Sequence, residues 1–411
     1  MMIFIYMRKR LFTLLWVLAC ISLQAQVQWR NDRTGVYNET GLLKSWPDKG
    51  PELLWHFDGI GRGFSSVSID KDKMFVTGCT DGKGYLHVLS LDGKQLLKIA
   101  YGAEWDSDGY VGARSTVMHD DGKLYVVSGM MELFCYDIQS LKLLWKKNYG
   151  KDYGAKNTAH GWNGPPLIVD EKLIIAPGGK KYHIVALNKA TGEIIWSSEG
   201  ATPNDMAGYA TPIYISDQQI PLVVAMMADH IIGIDCSNGK LLWSHYHTNR
   251  FREHPNTPEY YNGMILGMSD YGVGSVMLRL TNGGRSIEKV WENTDISHKT
   301  GNTMRIGDYI YASGERINWH CVDWHTGKTL YSDQTIGVGT VIAADGLLYC
   351  YSEKGEMALV KPNSGKFEVI SKFNITLGTD QHWAHPVIFK GIMYIRHGNT
   401  LMAYNIMNRE R

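Results

Sequence analysis

The chain has 411 residues, of which 44% are hydrophobic. That is enough for one large domain or two to three ordinary ones with a sizeable core. Lys and Arg number 42 against 41 Asp and Glu, for a formal net charge of +1. This near-neutral balance, without a basic stripe, argues against nucleic acid as a partner. Gly (44), Trp (13) and Tyr (23) are abundant and evenly spread, as many short strands and tight turns require.

In chain order, residues 1–25 have the form of a secretory signal peptide. Met7-Arg8-Lys9-Arg10 is basic, Leu11 to Leu23 is an apolar run too short for a stable membrane anchor, and Ala25 offers a small residue for cleavage. Export, most simply to a periplasm, is the expectation. The alternative is a lipoprotein signal, Val17-Leu18-Ala19-Cys20, with Cys20 acylated. Apolar Ile21 continues the run past that cysteine and favours the first form. No later segment is long and apolar enough for a transmembrane anchor. Residues 26–50 form an N-terminal extension. Five cysteines remain once residues 1–25 are cleaved (Cys79, Cys135, Cys236, Cys321 and Cys350), an odd number without CxxC spacing, as expected of buried thiols rather than disulfides or a metal site.

From residue 51 to 406 one unit recurs. An apolar strand is followed by a tight turn and a strand ending in Asp or Asn. Next come a Thr-Gly or Asn-Gly turn and a strand closing on Trp. The clearest copies run from Ala186 through Asn188, Thr191 and Gly192 to Trp196, and from Gly233 through Asp235, Asn238 and Gly239 to Trp243. A third runs from Cys321 through Asp323, Thr326 and Gly327 to Tyr331. Alternation gives half-buried strands, glycine supplies positive φ, and the Asp or Asn bonds the turn's own amides. The terminal Trp, as at Trp145, Trp196, Trp243 and Trp291, is large enough to wedge between neighbouring units.

Second strands start near Lys73, Lys123, Lys172, Leu222, Met264, Tyr309, Leu347 and Ile392, 38 to 50 residues apart. A four-stranded unit at that period is a propeller blade. The last unit, Ile392 to Ile406, lacks its Trp strand, and Pro51 to Phe57, with Trp55, supplies one at the front. The prediction is an all-β, eight-bladed β-propeller of four-stranded antiparallel blades. Its N-terminal strand closes the ring and residues 407–411 form a tail.

The Ala-x-Asp-x-x-Thr-Gly-x-x-x-Trp pattern resembles the repeat of pyrroloquinoline quinone (PQQ) dehydrogenases. It is also similar to that of the outer-membrane assembly propeller of Gram-negative bacteria. Trp29 to Tyr37, Ala113 to Thr116, His382 to Pro386 and Arg396 to Asn399 resemble exported PQQ-like proteins sometimes labelled polyvinyl-alcohol-dehydrogenase-like. The resemblance implies either a quinone site with Ca²⁺ or an envelope scaffold. The adjacent cysteine pair typical of quinoprotein alcohol dehydrogenases is missing, which lowers the case for bound PQQ.

Propellers bind ligands at the channel mouth, lined by the loops entering each innermost strand. By register these loops hold Arg62, Arg114, His160, Trp162, Tyr209, His254, Lys299, Asn302, His382, Trp383 and His385. Turns within the blades add Arg316, Arg396 and His397. Arg suits carboxylates, and aromatic faces suit sugars. A small polar or anionic ligand, carbohydrate- or polyol-like, is therefore expected, with His382 or His385 as general acid or base in any chemistry. Two histidines without a third ligand do not make a metal site. An envelope-protein scaffold and a quinoprotein dehydrogenase are the competing readings.

Overall fold

A computed structural model describes residues 29–107, 109–300, 302–314 and 319–408. Eight sheets form among these residues. The first comprises Ser68–Asp70, Lys73–Thr80, Lys83–Ser90 and Gln95–Ala103, each pairing antiparallel with the next. Six more repeat that order along the chain. Second strands begin at Lys73, Lys123, Lys172, Leu222, Met264, Tyr309, Leu347 and Ile392, the positions that the repeat marks. The eighth sheet contains Val387–Phe389, Ile392–His397 and Thr400–Asn405. Its outermost strand is Glu52–Phe57, with Trp55 opposite Ala403. The molecule is therefore an eight-bladed β-propeller closed by its N-terminal strand.

The repeat's turn works as its chemistry requires. The Asn188 carbonyl accepts the Gly192 N–H at 2.8 Å, and Asn188 Oδ1 accepts the Ala190 and Thr191 amides at 2.9 and 3.1 Å. Asp323 does the same for its turn, and Asp235 accepts the Ser237 amide at Oδ1 and the Gly239 amide at its carbonyl.

Glycine is needed at these turns for a second reason. A Cβ at Gly192 would lie 2.8 Å from the Trp145 ring of the preceding blade. Gly239 has the same relation to Trp196, Gly327 to Trp291 and Gly93 to Trp55. Each indole thus lies across the next blade's turn. Trp196, Trp243, Trp291 and Trp55 also donate to carbonyls of that blade: Cys236, Gly284, Trp324 and Leu91, at 2.9 to 3.1 Å. Trp196, Trp243 and Trp291 are buried, but Trp145 is only partly so and its indole N–H lacks an acceptor among the described residues. The apolar core lies between adjacent blades, where these wedges close each seam.

All eight outermost strands carry a β-bulge at the residue before the closing position. The unpaired residues are Leu54, Leu96, Leu144, Ile195, Leu242, Val290, Leu330 and Ile370. A bulge twists a strand and spoils its free edge for further pairing.

Residues 29–50 run through the ring rather than ahead of it. Trp29 to Gly35 forms a left-handed turn, with Arg30, Asn31, Asp32 and Arg33 at φ 43–66° and the Arg33 N–H bonded to the Trp29 carbonyl at 3.0 Å. Such a conformation costs roughly 1–2 kcal/mol per non-glycine residue. Two buried guanidinium groups offset it. Arg33 donates to the Pro212 and Pro166 carbonyls and to Thr211, and Arg30 to the Val341 and Thr303 carbonyls. Val36–Tyr37 then pairs parallel with the innermost strand Gly339–Ala344, and Leu43 and Trp46 bond Ile406 and Ser371. The sequence shows none of this, because the partners are 133 to 363 residues away.

No helix among the described residues is long and apolar enough to cross a membrane. The expected signal peptide, residues 1–25, and Cys20 lie outside the described residues, as does Arg316.

Candidate functional site

A cavity of about 320 Å³ occupies the central channel. Seven of the residues marked in the sequence line it: Arg114, His160, Tyr209, Lys299, Asn302, Trp383 and His385. Tyr271, from a turn within a blade, lines it too. Its aromatic wall runs in series, with Trp383 tilted against Phe64 (5.0 Å) and Tyr110 (5.2 Å), and Tyr110 edge-on to His160 at 5.5 Å. Trp29 of the inserted segment stands edge-on to His385 at 5.1 Å.

Arg114 is held by the Gly112 carbonyl at 2.7 Å and by the Tyr110 carbonyl, with its guanidinium over Phe64. His160 donates its amide N–H to Tyr209 Oη at 3.0 Å, and its Nε2 lies 3.6 Å from Glu253 Oε1. Arg114 and Lys299 therefore face the single carboxylate of Glu253 within the described lining, which biases the cavity towards anions. Glu253 was not singled out from the sequence. Its only signal was its place in the loop between Arg250 and His254.

The other marked residues lie elsewhere. Arg62 pairs bidentately with Asp380 (2.7 and 3.1 Å), tying the first blade's loop to the eighth's. Arg62 also borders a second, open cavity of about 430 Å³. Arg396 is 2% exposed and donates to Ser65, Thr77, Gly61 and Gly398, so it is a strut across the ring-closing seam. Burial lowers its pKa to about 9. Trp162 is buried against Tyr149 at 5.1 Å, its N–H given to the Gly164 carbonyl. His254 is wholly buried on the Ala228 carbonyl at 3.0 Å, and burial pushes its pKa down to about 3. His382 stacks on His397 at 3.5 Å between ring centres and meets Tyr351 Oη at 2.5 Å. Both ring nitrogens of His397 face carbonyls, those of Leu377 and Asp380, at 2.7 and 2.9 Å.

Ca²⁺-bound PQQ finds a poor donor set here. Glu253 is the lining's lone carboxylate, and no group of three His, Cys, Asp or Glu residues arranged to hold a metal ion occurs among the described residues. The five thiols are free and buried in separate blades, and burial raises the pKa of each.

Fold and channel together define a PQQ-like β-propeller. The sequence model described as outer membrane protein assembly factor BamB matches residues 24–251 and 210–368, and the chain belongs to that family. Among solved structures it is similar to BamB from Moraxella catarrhalis (13% identity, TM-score 0.61, covering 86% of this chain and 99% of that one). It is also similar to a europium-containing methanol dehydrogenase (13%, TM-score 0.63, 91% and 90%). The quinohemoprotein alcohol dehydrogenase from Comamonas testosteroni matches as well (14%, TM-score 0.65, 94% and 81%). At such identities these likenesses establish the fold alone. A comparison with curated proteins finds no match.

Proposed function

We propose that this is an exported propeller whose central funnel binds a small ligand carrying carboxylate or several hydroxyl groups. One observation carries the reading: a single cavity brings Arg114, Lys299 and His160 together with a continuous aromatic wall of Phe64, Trp383 and Tyr110. Cations select carboxylate, ring faces cover the apolar side of a sugar or polyol, and partial enclosure strengthens both. Among the cavity's titratable groups, His160 beside Glu253 is the pair arranged for proton transfer.

Thermal unfolding with glucuronate, myo-inositol and PQQ plus Ca²⁺ tests this. A ligand present at 100 times its Kd stabilises by about 2.7 kcal/mol. Glucuronate should raise the melting temperature, and Arg114→Ala and His160→Ala should abolish the rise in proteins that keep the wild-type circular dichroism spectrum. No response to any of the three would end the ligand-binding reading. An envelope-protein scaffold is the second reading, favoured by the family to which the chain belongs. It would be supported if the two funnel variants restored normal envelope integrity to a strain lacking the protein.

A further inference from the structure

We propose that Asn302 and His385 form a two-donor fork that seats one oxygen of the ligand, and that Arg30 of the inserted segment is the positioning residue that sets the fork's polarity. This rests on the funnel being a ligand site and narrows the ligand to a small carboxylate or carbonyl compound.

The argument starts from what each atom can do. A guanidinium has only N–H donors. Arg30 Nη1 lies 2.9 Å from His385 Nδ1, and the bonds of Arg30 to the Val341 and Thr303 carbonyls fix its plane. His385 Nδ1 must therefore accept, which leaves the imidazole proton on Nε2. Burial and the adjacent Arg30 charge both hold the ring neutral, well below the usual histidine range, and the Thr300 backbone beside the ring suits a protonated Nε2. Asn302 is oriented just as firmly. Its Oδ1 accepts the Thr257 N–H at 3.0 Å, so Nδ2 is the end that points away from Thr257.

Asn302 Nδ2 and His385 Nε2 lie 3.5 Å apart, and Nδ2 has no other partner among the described residues. Both nitrogens carry hydrogen, so neither satisfies the other. Asn302 and His385 are 6% and 7% exposed, and both line the cavity. Buried donors are almost always paired; Asn302 Nδ2 has no acceptor among the described residues and His385 Nε2 has only the Thr300 backbone, so an acceptor oxygen between the two nitrogens completes the set. A ligand oxygen that accepts from both fills that place. Trp29 beside the fork, with Arg114 and Lys299 in the same lining, matches that oxygen to a carboxylate with a compact body.

The test uses the whole protein labelled with ¹⁵N-histidine and ¹⁵N-asparagine at pH 7, titrated with sodium glucuronate and with glucose, which has the same ring but no carboxylate. His385 should appear as the neutral Nε2–H tautomer. Its Nε2 and the Asn302 side-chain amide should shift with glucuronate and stay still with glucose. Asn302→Asp, which replaces a donor by a repelling acceptor, should weaken glucuronate at least tenfold, while Asn302→Gln restores part of the affinity. Arg30→Gln should release the tautomer preference, and its circular dichroism spectrum shows whether the ring remains closed. Unchanged glucuronate affinity in a folded Asn302→Asp protein would overturn the fork and leave the funnel reading standing. If glucuronate perturbs no funnel residue, the funnel reading falls for this ligand class. The tautomer then decides the fork alone: an Nδ1–H or doubly protonated His385 refutes it.

Discussion

Trp196 meets three demands that a generic apolar residue does not. Its ring covers Gly239 of the next blade, its N–H reaches the Cys236 carbonyl at 2.9 Å, and its own strand bulges just before it. Trp196→Ala, Trp243→Ala and Trp291→Ala should each cost on the order of 3–5 kcal/mol in urea unfolding. Trp145 provides an internal control, since its N–H has no acceptor among the described residues. Trp145→Phe should therefore be milder than Trp196→Phe, by roughly the 0.5–1.5 kcal/mol of one hydrogen bond. Equal losses would show that packing alone sets the seam. Gly192→Ala should cost more than the roughly 1–2 kcal/mol of a left-handed alanine, because its methyl group also displaces Trp145.

At the scale of strands and loops, the strands were the legible part. Alternation, turn chemistry and the closing Trp are local signals, and every second strand begins where the repeat places it. Entry loops were legible only as positions. Whether a loop side chain faces the channel depends on what another blade offers it. Asp380 captures Arg62, whereas Arg114 is fastened by its own loop and stays in the lining. Arg396 looked like a funnel cation but finds carbonyls across the closing seam. The strand Glu52–Phe57 has its own test. Deleting residues 51–58 should leave Thr400–Asn405 as an unbulged free edge and give an aggregating protein by light scattering. A soluble protein of wild-type stability would contradict that role.

At the scale of the whole molecule, buried histidines set an acid limit. Burial lowers the pKa of His87, His247 and His382 to about 4 and of His254 to about 3, from an ordinary 6.5. Between those values the unfolded chain binds protons that the folded protein does not. Stability from these groups is therefore complete above about pH 6.5 and falls as pH drops towards 4. Glu104 and Glu259, raised by burial, act in the opposite sense above the carboxylate's ordinary 4.5, but they are two against nine histidines that burial lowers, His183, His245, His298, His320 and His385 among them. Melting temperature should decline from pH 7 to pH 5, and replacing His254 by Gln should flatten the decline. A flat profile in the wild type would mean that these rings already carry charge in the folded state.

The threading of residues 29–57 sets the order in which the protein can be made. This stretch leaves the ribosome before the blades it joins, yet Arg30 needs Val341 and His385, and Trp55 needs Ala403, all made much later. Blades one to six can pair their own neighbouring strands as they emerge, whereas the opening segment must wait with its apolar and cationic groups unplaced. Bringing such distant partners together is slow, because the loop must close before any contact offsets its entropy. Ring closure and filling of the channel are then one late event, and the aromatic end of the funnel at Trp29 is finished only when the last blade is. A nascent chain stopped before Thr400 should be trapped with its first strand available to any passing sheet edge. A chaperone that shields residues 29–57 during synthesis would raise the yield of closed rings.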